Sequence, residues 1–148
     1  MQSANQMIPD GKNRMKILLI EDSRFLRLAI EKVLSRVGYE VTGVADGQEG
    51  LSIARAAHPG LILLDMMLPG LDGTCVLKEL KKEPSTAKIP VIVLTGLSQA
   101  NEAKLKNAGA AAYCQKTMLN FENNSDALIR VIESVVGPSS KMHSAVLR

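Results

Sequence analysis

Five short apolar runs constrain this chain more than anything else in it: KILLI (16–20), YEVTGV (39–44), LILL (61–64), PVIVL (90–94) and AAYCQ (111–115). Their apolar residues follow one another with little polar alternation. That is the pattern of strands covered on both faces, as in a parallel sheet, and not of strands with one wet face. The segments between them have helical spacing. The first, Ser23 to Val37, sets Phe25, Leu28, Ala29, Lys32, Val33 and Arg36 along one side, and Gly38 closes it. The second opens on the capping box Asp46-Gly47-Gln48-Glu49 and stops at His58-Pro59-Gly60. A third runs from near Asp72 through Cys75, Val76 and Leu80 to about Glu83, and a shorter fourth spans roughly Asn101 to Asn107. The last, about Asn124 to Val136, offers Leu128, Ile129, Ile132 and Val135 or Val136 for burial.

Strand then helix, five times over, predicts an α/β fold: a doubly wound parallel sheet with helices on both faces, joined by right-handed crossovers. The 148 residues suffice for one ordinary domain. We place it at 16–136, with 1–15 and 137–148 as flexible polar tails. Four aromatic residues (Phe25, Tyr39, Tyr113, Phe121) and no Trp leave the core to aliphatic side chains.

The net charge of +3 is an end effect. Outside 16–136 lie four of the 18 Lys and Arg and one of the 15 Asp and Glu, which leaves 14 of each sign in the body. A phosphate-neutralising patch belongs on the folded body, so nucleic acid is not an expected partner. Cys75 and Cys114 form no CxxC and read as two buried thiols in a reducing cytosol. His58 and His143 have no metal-ligand spacing. The first residues lack the apolar centre of a signal peptide, and no stretch is long enough to span a membrane. The sequon at Asn123-Asn124-Ser125 is noise without secretion, and the expected location is the cytoplasm.

The chemistry lies at the strand ends. The first run leads into Glu21-Asp22, the third into Asp65, the fourth into Thr95 and the fifth into Lys116. In doubly wound sheets, ligands bind beyond the carboxyl ends of the strands at the topological switch point. In the strand order 2-1-3-4-5 the first and third strands are neighbours there, so Glu21, Asp22 and Asp65 converge. Three carboxylates repel each other and call for a cation; a small oxygen-only site suits Mg²⁺. Lys116 adds a fixed positive charge and Thr95 a hydroxyl, which makes a clamp for a transferring phosphoryl group. Asp65 is then a carboxylate nucleophile able to form an aspartyl phosphate.

Each residue also has an ordinary reading. Glu21-Asp22 or Thr95 could cap helices, Asp65 could start the turn before Pro69-Gly70, and Lys116 could be a surface lysine. These require four coincidences at a single sheet edge.

LLIEDS, LLDMMLPGLDG, VIVLTG and AAYCQK, in this order and each at a strand end, resemble the receiver domain of bacterial response regulators, over about Lys16 to Val136. The resemblance implies a flavodoxin-like five-stranded sheet of order 2-1-3-4-5. It implies that Asp65 accepts a phosphoryl group from a histidine kinase or phosphotransfer protein, and that output passes to a downstream protein through contacts. Asp22, Asp65 and the Met67 backbone carbonyl would bind Mg²⁺, with Glu21 acting partly through metal-bound water. Lys116 would pair with the phosphoryl oxygens, while Thr95 and Tyr113 would form the switch. Met67 and Leu97, two residues beyond Asp65 and Thr95, would flank the path of the hydrolysing water. Both are apolar, so slow autodephosphorylation is expected.

Two departures from the family pattern stand out. Thr117 replaces the usual Pro after the lysine, so a trans peptide is expected there. The loop Thr117 to Asn124 is also longer than usual, which puts the usual docking mode around the fourth helix, fifth strand and fifth helix in doubt.

Other functions fit less well. A hydrolase of the haloacid-dehalogenase type needs a second Asp where Met67 stands. A nucleotide or flavin site wants a phosphate-cradling loop where Glu21-Asp22 would repel phosphate. A phosphate-independent interaction module, or a receiver piece of a larger hybrid kinase or regulator, remains the alternative.

Overall fold

Strands and helices alternate as the apolar runs require in the computed structural model, which describes residues 14–96, 102–119 and 126–138. The strands are β1 (Lys16–Ile20), β2 (Glu40–Val44), β3 (Leu61–Asp65), β4 (Val91–Thr95) and β5 (Ala112–Gln115). The helices are α1 (Arg24–Val37), α2 (Gly47–Ala57), α3 (Gly73–Lys82), α4 (Glu102–Asn107) and α5 (Asp126–Val136), with a 3-10 turn at Lys116–Met118. All strand pairs are parallel, in the order β2-β1-β3-β4-β5. This is the doubly wound architecture expected from the sequence.

Local chemistry sets the boundaries. Ser23, Asp46 and Asp72 cap α1, α2 and α3, each side chain accepting from the N–H three residues on at 3.3, 2.8 and 3.0 Å. Gly38 ends α1 at φ 115°, where its N–H reaches Ser35 O and the Tyr39 N–H reaches Leu34 O, both at 3.1 Å. That Schellman closure explains why Tyr39 belongs to the helix end and β2 begins at Glu40. Among the described residues every peptide bond is trans, including the one before Thr117.

The sheet separates two apolar clusters. Leu18, Ile20, Ile62, Leu64, Val91 and Val93 face α2, α3 and α4. Ile17, Leu19, Leu61, Leu63, Ile92 and Leu94 face α1 and α5. β3 and β4 are buried along their whole length, the state that a continuous apolar run specifies.

Two sequence expectations are corrected here. α1 buries Ile30, Val33 and Leu34, with Leu26 and Val37 half-buried beside them, whereas Phe25 and Leu28 are 80% and 48% exposed. The stripe through Phe25, Leu28 and Ala29 is turned away because the competing stripe carries the larger total of aliphatic side chains. Cys75 is exposed and only Cys114 is buried, since α3 packs through Val76, Leu77 and Leu80 and Cys75 lies off that line. α5 buries Leu128, Ile129 and Ile132 as expected, and its expected start at Asn124 lies outside the described residues. Among the described residues no helix is long and apolar enough to cross a membrane.

Candidate functional site

Register brings the strand ends together. Ile20 pairs with Leu64, Asp65 with Leu94 and Thr95 with Gln115. Glu21, one step past Ile20, is therefore level with Asp65, and Lys116 is one step past Gln115. Side chains alternate between faces along a strand. By that parity Glu21 and Asp65 leave the sheet on the α1/α5 side, whereas Thr95 and Tyr113 leave on the α2–α4 side. Tyr113 is half-buried against the apolar cluster of that second side.

The charges are buried together. Glu21 is 0% and Asp65 1% exposed, while Asp22 is exposed. Carboxylate oxygens of the three lie within 4.8 Å of one another. Lys116 Nζ stands 2.9 Å from Asp65 Oδ1 and 3.2 Å from Glu21 Oε1. Burial pulls the Lys116 ammonium down, but its bond to Asp65 and the charges of Asp65 and Glu21 outweigh that, so its pKa is raised. The Glu21 pKa is raised too, which for a carboxylate favours the neutral form. Burial pushes it up to about 7, the bond from the Ser23 N–H opposes, the Asp65 charge adds, and Lys116 opposes in turn. With all three acids ionised, one ammonium leaves two negative charges uncompensated, a match for a divalent cation. Glu21 Oε1 is buried with the Lys116 ammonium, at 3.2 Å, as its neighbour. The donor set, all hard oxygens, fits such an ion.

The supporting contacts explain why the acids stay in place. The Ser23 N–H donates to Glu21 Oε2 at 3.0 Å, so Glu21 is tied to the first turn of α1 while Ser23 itself caps the helix. Arg27, one turn in, donates from Nη1 to the Glu21 carbonyl at 2.8 Å and holds the acidic loop by its backbone. Its stem lies across Gly43, where an added Cβ would come 3.0 Å from Arg27 Cγ and Cδ and collide with Glu31. Asp65 Oδ1 also accepts from the Met67 N–H at 3.1 Å, so the residue does start the turn that the ordinary reading suggested, and it pairs with Lys116 as well. Gly73 lets α3 begin against the end of β3: a Cβ there would fall 2.5 Å from Asp65 O and 2.6 Å from Met66 Cα.

Thr95 is 4% exposed and ends β4, seven residues before α4 begins, so it does not cap that helix. Met67 is 66% exposed beside Asp65. Leu97 lies outside the described residues, as do positions 120–125 of the long loop. The sequence reading missed Arg27, Ser23 and Gly73 as positioning groups. A serine at a helix start was visible as a cap, but nothing in the sequence marks one of several α1 arginines as the one that reaches back.

Comparison with known proteins agrees with this geometry. Residues 17–128 match the model of the response regulator receiver domain. A probable transcriptional regulator ycf27 from Porphyridium aerugineum is 46% identical over 87 residues, which is 59% of this chain and 35% of that protein. This chain thus spans about a third of the length of such relatives. Their naming as transcriptional regulators leaves the expectation of no nucleic-acid contact without support. The receiver domain of the sensor histidine kinase PA1611 from Pseudomonas aeruginosa PAO1, with a magnesium ion in its active-site cleft, is 30% identical with a TM-score of 0.72, covering 84% of this chain and 98% of that one. The phosphorylated cyanobacterial phytochrome response regulator RcpA is 30% identical with a TM-score of 0.71, covering 83% and 94%. Fold, acidic cluster and sequence converge: the chain belongs to the response regulator receiver domain family.

Proposed function

We propose that Asp65 is the phosphoacceptor of a signalling switch, taking its phosphoryl group from a histidine kinase or phosphotransfer protein in the cytoplasm. The observation that carries this reading is a buried aspartate paired with Lys116 at 2.9 Å inside a cluster of three acids. Among the described residues both bonds to Asp65, from Lys116 and from the Met67 N–H, go to Oδ1, which leaves Oδ2 to attack phosphorus. The Oδ2–P bond forms as the donor's P–N or P–O bond breaks, and the leaving group departs with its electron pair and takes a proton from solvent.

Asp22, Asp65 and the Met67 carbonyl would hold Mg²⁺, with Glu21 through a bound water. When bound, the ion neutralises charge on the phosphoryl oxygens. Lys116 shifts its bond from Asp65 to a phosphoryl oxygen. Thr95 offers its hydroxyl from the α2–α4 side, and Tyr113 on the same face follows it. The chain catalyses only its own phosphorylation and dephosphorylation, and output passes through contacts with a downstream protein.

Intact mass after incubation with Mg²⁺ and acetyl phosphate tests this. One acid-labile phosphoryl adduct on the wild type, absent from Asp65→Ala, is the expected result. An adduct that persists in Asp65→Ala, or none on the wild type even with a histidine kinase supplied, removes Asp65 from the role.

A further inference from the structure

A groove of about 960 Å³ runs down the α2–α4 side of the sheet between α3 and α4, beginning at Thr95 and Met67. Its floor and walls are mostly apolar, from Met66, Leu68, Pro69, Leu77 and Leu105. Two cations stand on opposite walls, Lys78 on α3 and Lys104 on α4. Both are exposed, and neither makes an ion pair among the described residues. The acidic lining residues, Asp22 and Asp72, lie at the phosphoacceptor end.

We propose that this groove is a docking site for a short amphipathic helical segment of a partner protein, with apolar side chains on the floor and acidic side chains between Lys78 and Lys104. Shape and charge both favour that occupant. Crossover helices in a parallel sheet run alongside each other, so the trough between α3 and α4 accepts a third helix laid lengthwise, anchored at i and i+4. α3 has ten residues, a length of roughly 15 Å at 1.5 Å per residue, so about two to three turns fit. The two lysines select acidic groups on the flanks and reject basic ones, and Asp72 fixes the direction by repelling acidic groups at the upper end. The inference goes beyond the phosphoacceptor reading and stands without it, because its anchors are not the residues proposed for the chemistry.

The test uses the full chain, isotopically labelled, titrated with a capped synthetic peptide carrying leucines at i and i+4 and glutamates beside them. Its counterpart has lysines for the glutamates. Saturable amide shifts at Leu77, Lys78, Leu105 and Ala108 with the glutamate peptide are expected. The double variant Lys78→Glu/Lys104→Glu should weaken that binding at least tenfold and bind the lysine peptide instead. Its thermal midpoint and acetyl phosphate labelling should match the wild type, which separates a failed groove from a failed fold or a failed phosphoacceptor. Equal binding of both peptides, shifts outside the groove, or no saturable shifts would overturn the proposal. So would concentration-dependent dimerisation of the wild type that the double variant abolishes, because the occupant would then be a second copy.

Discussion

Lys116 Nζ lies 2.9 Å from Asp65 Oδ1, and this pair lets a carboxylate end the fully buried strand β3. A charge removed from water without a partner costs several kcal/mol, so the pair is a condition of the fold before it is part of any reaction.

Lys116→Met should therefore destabilise the protein. Truncating one partner of a fully buried pair costs roughly 3–5 kcal/mol, and the partly exposed lysine reduces this to about 1–3 kcal/mol. Urea unfolding at pH 8 without Mg²⁺ measures it. The companion Asp65→Asn/Lys116→Met should recover most of the loss, and an equal loss in the double variant would show that the lysine stem, not its charge, matters.

Glu21 sets a pH dependence. Its carboxyl stands at about 7 in the folded protein against 4.5 for the unfolded chain. Between those values the folded state binds the extra proton, so without Mg²⁺ stability should fall as pH rises from about 4.5 to 7. At about 1.4 kcal/mol per pKa unit the loss is at most about 3.5 kcal/mol. Glu21→Gln should flatten this slope in urea midpoints taken across the range. Added Mg²⁺ should stabilise the wild type more at pH 8 than at pH 5.5, and the same gain at both would place the ion away from Glu21.

Gly73→Ala should cost about 1–3 kcal/mol, the usual penalty for forcing an atom into a packed space. The strain falls on Asp65 O and Met66 Cα, so phosphoryl labelling should slow beyond what the lost stability explains. Labelling rates well below the melting temperature separate the two effects.

Met67→Asn should shorten the phosphorylated lifetime. An exposed thioether cannot orient a water, whereas a side-chain amide can. A tenfold change corresponds to about 1.4 kcal/mol in barrier height. The decay of the intact-mass adduct after donor removal reads it, and an unchanged decay would mean that Met67 does not control the water.

The sheet was legible because β1, β3 and β4 announce two-sided burial in their own composition; the edge strands β2 and β5 are less covered than their apolar runs suggested. The acidic cluster was legible because topology alone brings the ends of β1 and β3 together. Two properties were not. The face of α1 was misread because Phe25 and Leu28 sit at helical spacing as good as that of Leu26, Ile30 and Leu34, and only packing chooses between the stripes. The charge state of Glu21 depends on how completely it is enclosed and on its distances to Asp65 and Lys116, none of which a linear pattern encodes.

The two-residue alternation of a strand also divides the molecule by task. Asp65 and Glu21 emerge toward α1 and α5, Thr95 and Tyr113 toward α2, α3 and α4. On the proposed reading, a phosphoryl group added in one layer would be sensed by side chains rooted in the other, across the sheet edge. The rate at which such a mark is written would then drift through substitutions in the first layer while its meaning to partners is rewritten in the second.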